Sequence, residues 1–140
     1  MRVSLGMEDK LERILHLLDS LASESARGIP ILVEGRKDVE ALNALEIRGD
    51  VIAVKTTGKN LLDQLGEVEE RGKGEVVLLM DFDRRGKELT KYLTLCLEKM
   101  KIKPNTVLWK KFRSLLRRDV KDIEGLPSYI ETLKGKIGRI

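Results

Sequence analysis

Val76-Val77-Leu78-Leu79-Met80-Asp81-Phe82-Asp83-Arg84-Arg85-Gly86 is the stretch on which the fold turns. Five apolar residues follow one another without a polar break, the pattern of a strand covered on both faces of a parallel sheet. The run stops at Asp81-Phe82-Asp83, and the spacing that follows predicts a helix from Gly86 to about Lys99. Arg71-Gly72-Lys73-Gly74 turns the chain into the strand. The same order of apolar run, polar turn and helix occurs twice upstream. Ile29-Pro30-Ile31-Leu32-Val33 leads through Glu34-Gly35 into a helix over Lys37 to Leu45, with Pro30 tolerated at the strand's entrance. Val51-Ile52-Ala53-Val54 leads through a Thr56-Thr57-Gly58 loop into a helix carrying Leu61, Leu62, Leu65 and Val68, capped by Asn60.

Farther out, Leu11, Ile14, Leu15, Leu17, Leu18 and Leu21 recur at helical spacing and predict an amphipathic helix over residues 7–26. Thr106-Val107-Leu108-Trp109, after Pro104-Asn105, reads as a fourth short strand. Phe112, Leu115 and Leu116 then suggest a helical turn, and Tyr129, Ile130 and Leu133 a final helix entered through Pro127-Ser128. Strands alternating with helices imply right-handed crossovers and the α/β class, with about four parallel strands and helices on both faces. The expected organisation is one domain over residues 1–140: a core near 29–109, the opening helix, and a basic extension over 110–140.

With 140 residues, 41% hydrophobic and 36% charged, the chain is apolar enough to collapse and too charged to be a membrane span or a disordered tail. One cysteine, Cys96, and one histidine, His16, leave no disulfide and no Cys/His zinc set. A reducing cytoplasm is therefore expected. The opening MRVSLGMEDKLERIL is acidic and amphipathic, unlike a secretory signal. A single glutamine and dense Lys and Glu lean towards a heat-adapted source. No GxxxxGK[ST] occurs and no GxGxxG follows the first strand, which removes P-loop and dinucleotide chemistry.

In an open parallel sheet the crevice lies beyond the carboxyl ends of the strands. Glu34 ends the first strand there, and Asp81 and Asp83 end the third. Carboxylates gathered in a crevice repel unless a cation offsets them, and oxygen donors without Cys or His suit magnesium or manganese. Such residues also cap helices or pair with arginines; it is the combination of DFD with EG at equivalent strand ends that favours function. Asp38, one turn after Glu34, either faces the crevice or supports its helix start. Gly35 and Gly86 allow tight turns and close approach of amides to a phosphate, and Lys37, Arg84, Arg85 and Lys87 stand where phosphate oxygens would be held.

Lys99, Lys101, Lys103, Lys110, Lys111, Arg113, Arg117 and Arg118 occur with no acidic residue among them. Beside a carboxylate site this basic segment points to nucleic acid, with Lys110, Lys111, Arg113, Arg117 and Arg118 as its contacts. Trp109 and Phe112 could stack bases, although apolar residues at such positions more often belong to the core.

EGRKD after ILV and DFDRRG after VVLLM resemble the Toprim domain shared by topoisomerases, bacterial primases and some nucleases, over about Ile29 to Trp109. The whole chain is similar to the small stand-alone Toprim proteins of archaea and bacteria, related to the nuclease that matures 5S ribosomal RNA. The resemblance implies a Rossmann-like sheet, Glu34, Asp81 and Asp83 as catalytic carboxylates and metal residues for magnesium or manganese, Glu34 serving as general acid or base and Asp81 and Asp83 coordinating the ion. It implies phosphodiester cleavage or transfer on RNA or DNA, with RNA preferred, or else a non-catalytic module that binds nucleic acid or joins a ribonucleoprotein. Some relatives carry a third acidic residue two positions past the DxD; Arg85 stands there instead, which favours one-metal chemistry. Tyr92 and Tyr129 match no topoisomerase motif, and no primase-type zinc module is present.

Overall fold

The structure, a computed structural model, describes residues 2–55 and 60–138; the Thr56-Thr57-Gly58 loop lies outside the described residues. The chain runs α1 (Arg2–Ala26), β1 (Ile31–Val33), α2 (Arg36–Ala44), β2 (Val51–Ala53), α3 (Leu61–Glu70), β3 (Glu75–Leu79), α4 (Arg84–Lys99), β4 (Lys103–Asn105), α5 (Val107–Leu116) and α6 (Leu126–Ile137). The strands form one parallel sheet in the order β2-β1-β3-β4, with Ile31 opposite both Val51 and Val77 and Glu75 opposite Lys103.

Ile31, Leu32 and Val33 are wholly buried, as their unbroken apolar run requires. Alternate residues feed two cores. Ile31, Val33, Val77 and Leu79 meet α1, α2, α5 and α6 through Ile14, Leu21, Leu42, Phe112 and Ile130. Leu32, Val76, Leu78 and Met80 meet α3 and α4 through Leu65, Val68, Leu93 and Leu97. The connection from β1 to β2 travels one way along the sheet and that from β3 to β4 the other. Their helices take opposite faces, as right-handed crossovers demand. The chain thus reverses direction between β1 and β3, which opens a crevice at their carboxyl ends.

The expected strand over Thr106–Trp109 is corrected. β4 lies just before it, over Lys103–Asn105, and the chain is helical from Val107. Pro104 is accommodated because β4 is an edge strand, with one side free of ladder bonds. Leu108, Trp109, Phe112 and Leu116 are buried together, the helical stripe of α5. Trp109 and Phe112 are core residues, the former only 5% exposed. Among the described residues no helix is long and apolar enough to cross a membrane.

Candidate functional site

Glu34 leaves β1 at the crevice and is 4% exposed. Its Oε2 accepts the backbone amide of Asp81 at 2.9 Å, so the ends of β1 and β3 are joined by the acidic side chain itself. Its Oε1 faces Lys55 Nζ and Arg85 Nη2, each at 3.4 Å. Arg85 also reaches Asp81 Oδ2 at 3.7 Å, bridging the two carboxylates. Burial, with Glu34, Asp38, Asp122 and Asp83 adding like charge, pushes the Asp81 carboxyl up to about 7.

Between the aspartates, Phe82 turns inward and stacks on Phe112 with ring centroids 6.5 Å apart, leaving Asp81 and Asp83 on the outer side. Asp83 is exposed and caps α4, its Oδ1 accepting the Gly86 amide at 2.8 Å. Gly86 serves packing: it is buried, and a Cβ there would overlap the Asp81 carbonyl. Its amide is directed to Asp83.

Asp38 combines two tasks that the sequence presents as alternatives and adds a third. Its Oδ2 accepts the Gly35 amide at 3.0 Å at the start of α2, while its Oδ1 accepts the Glu124 amide at 2.9 Å. It is also near enough to Asp81 to raise that carboxyl. Burial lifts Asp38's own carboxyl above the ordinary range despite these two amides.

The partner of Asp38 is the loop between α5 and α6, within the expected basic extension. Lys121 O accepts the Phe82 amide at 2.7 Å, which fastens this loop to the DFD turn. It brings Asp122 and Glu124 into the crevice, where carboxylate oxygens of Asp38, Asp122 and Glu124 lie within 4.8 Å of one another. Asp122 also accepts the Gly125 amide at 2.8 Å. No local signal marks Asp122 and Glu124, which follow Asp119 in a stretch of mixed charge.

The basic residues disperse. Lys101 precedes β4 and Lys103 begins it, at the amino edge of the sheet opposite the carboxylates. Lys37 stands 4.0 Å from Glu124 at the rim of the crevice. Arg84 and Lys87 are exposed in the first turn of α4. Arg113 is mainly a brace: its Nε donates to Phe82 O at 2.9 Å and its guanidinium lies 5.7 Å from the Trp109 ring centre. Lys110 and Lys111 line a cleft against α1, Arg117 ends α5 and Arg118 is exposed beyond it.

Glu34 and Asp81 are brought together, whereas Asp83 turns to its cap; among the described residues the carboxylates at metal-ligand spacing are Asp38, Asp122 and Glu124, an all-oxygen set without His or Cys beside Asp81, whose raised carboxyl already shows the crowding of negative charge. Such a set fits a hard divalent cation.

Comparison with known proteins agrees with this geometry. The family model described as the Toprim domain matches residues 28–107, from the approach to β1 through the start of α5. A UPF0292 protein of Methanosarcina barkeri is 36% identical over 129 residues, covering 92% of this chain and 88% of that protein. Another, from Methanocaldococcus jannaschii, is 37% identical over 124 residues, covering 88% and 94% respectively. A solved structure of a putative protein from Aquifex aeolicus superposes with a TM-score of 0.65 at 26% identity, covering 78% of this chain and 94% of that one. The chain belongs to the Toprim domain family, whose members bind divalent metal in nucleic-acid-related functions, and within it to the UPF0292 proteins.

Proposed function

We propose that this protein is a magnesium- or manganese-dependent nuclease or phosphotransferase acting on phosphodiester bonds of nucleic acid, with RNA as its foremost substrate. The observation that carries this reading is the bond from the Asp81 amide to Glu34, which holds acidic groups from two distant stretches of chain at the sheet's switch point. Asp81 and Asp83 would hold the ion, with Glu34 beside them. When bound, the ion polarises a non-bridging phosphate oxygen and steadies charge on the attacking or leaving oxygen. Glu34 keeps one oxygen on the Asp81 amide, which orients the carboxylate, and presents the other as the proton acceptor or donor. Arg85 and Lys55, already beside that oxygen, supply positive charge to a phosphate entering the crevice.

Labelled structured RNA and DNA incubated with the protein and magnesium test the proposal. Glu34→Gln and Asp81→Asn are each expected to lower cleavage by about 100-fold or more, the scale of a lost acid-base group. Unchanged cutting in both variants would overturn the assignment.

A second reading draws on the ion pairs of Glu34 with Lys55 and Arg85 and of Asp81 with Arg85, which offset part of the negative charge before any metal arrives. In that reading the protein is a non-catalytic module that binds nucleic acid or a ribonucleoprotein. Salt-dependent binding that survives removal of Glu34, Asp81 and Asp83, with no turnover in the intact protein, would favour it.

A further inference from the structure

Among the described residues, clefts that flank α5 differ in sign. One, about 930 Å³ against α1, mixes Asp9, Glu12 and Asp19 with Arg13, Lys110 and Lys111, and so offers a phosphate chain no net attraction. The second, about 480 Å³, lies between α4 and the start of α5, where the chain leaves β4. Lys87, Lys91 and Lys110 supply its charge, and no carboxylate lines it. At Trp109 and Lys110 it meets a third cleft of about 240 Å³, which adds Arg113 and Arg117 and again contains no carboxylate.

We infer that this α4–α5 groove seats the sugar-phosphate backbone of a single nucleic-acid strand leading to the carboxylate crevice. The inference rests on the function proposed above and adds the path and the strandedness of the substrate.

Position comes first. Lys87 lies one turn beyond the Asp83 cap, and Arg113 is bonded to the carbonyl of Phe82, between the two aspartates. A phosphate held in the groove is therefore a neighbour of the candidate reacting phosphate.

Lys87, Lys91, Thr94 and Leu95 fall at intervals of four, seven and eight residues, a single face of α4. Thr106, Trp109 and Lys110 form the facing wall. The walls are apolar: Leu95, 60% exposed, lies on one side and Trp109 on the other, and the stems of lysines characteristically cover apolar surface while their ammonium groups stay in water. Apolar walls under cationic rims suit sugars below and phosphates above.

The size selects a single strand: a cleft of about 480 Å³ has room for one sugar-phosphate backbone and not for the body of a duplex. Trp109 makes the groove indifferent to sequence: it is a wall and not a stacking platform, buried with its indole N–H donated to Met80 O at 2.9 Å.

Fluorescence anisotropy with a labelled short RNA, the DNA of the same sequence and a matching duplex, all in chelator and over a salt series, tests the inference without requiring catalysis. Lys87→Glu combined with Lys91→Glu is expected to weaken single-strand binding by at least about tenfold. Lys91→Ala alone should flatten the slope of log affinity against log salt by about 0.7, the single-strand value per phosphate contact. Lys73→Glu combined with Lys103→Glu, ahead of β3 and at the start of β4, should leave binding within about twofold of the native protein. Circular dichroism checks that each variant is folded. Similar RNA and DNA affinities support backbone recognition. Groove variants that bind like the native protein, an equal loss in the Lys73 and Lys103 control, or preference for the duplex would each overturn the groove. If the groove fails while the native protein still cuts nucleic acid, the proposed function stands; if the native protein neither binds nor cuts any strand, both fall.

Discussion

Asp81 is the residue in which the cost of the site is most visible. Its carboxyl titrates near 7 in the folded chain against an ordinary 3.8, chiefly through burial and then through Glu34. A carboxyl raised on folding contributes stability that is complete below about pH 4 and is lost as pH rises through about 7. In chelator, urea unfolding at about pH 5 and about pH 8 should therefore show the native protein weakening towards the higher pH. Asp81→Asn, which carries no titrating proton, should weaken less over the same interval; an identical decline in both proteins would contradict the assignment. Asp81 was legible as a candidate from its place after an apolar run. Its altered proton affinity was not, because Asp38 and Asp122, two of the charges that produce it, come from separate parts of the chain.

At the scale of elements, Asp83 has a structural task that can be separated by experiment from the metal-binding one proposed for it. Its Oδ1 caps α4 through the Gly86 amide, which an asparagine can reproduce. Asp83→Asn should accordingly melt within a few degrees of the native protein yet bind manganese more weakly, as read by electron paramagnetic resonance. Asp83→Ala should lose about 1 kcal/mol of stability as well. Equal metal affinity in the native protein and both variants would remove Asp83 from the ligand set. The helices and strands around this turn were mostly readable because their apolar periodicity is local, and the Asn60 cap of α3 follows the sequence rule. The junction of β4 and α5 was misread for a physical reason. Val107-Leu108-Trp109 is too short an apolar run to separate strand from helix, and Pro104 looks like punctuation although an edge strand tolerates it.

For the molecule as a whole, the decisive contacts join the β1–β3 switch point to a loop almost ninety residues beyond Glu34. Asp38→Ala would leave the Glu124 amide and the Gly35 amide without their acceptor, at a cost of about 1–3 kcal/mol. Faster amide exchange should then appear in the segment after α5, with the β1 and β3 amides staying protected; unchanged exchange at Glu124 would mean that the loop is held by other contacts. Asp122 and Glu124 escaped the sequence reading because nothing local distinguishes a crevice carboxylate from a solvated one. Only tertiary closure, through Lys121 and Phe82, gives them their neighbours. The guanidinium of Arg85 has a consequence for how such a crowd of negative charge comes to exist at all. With this built-in counterweight, the polypeptide can reach its shape before any ion is present, and the proposed loading of a metal need not be a step in folding.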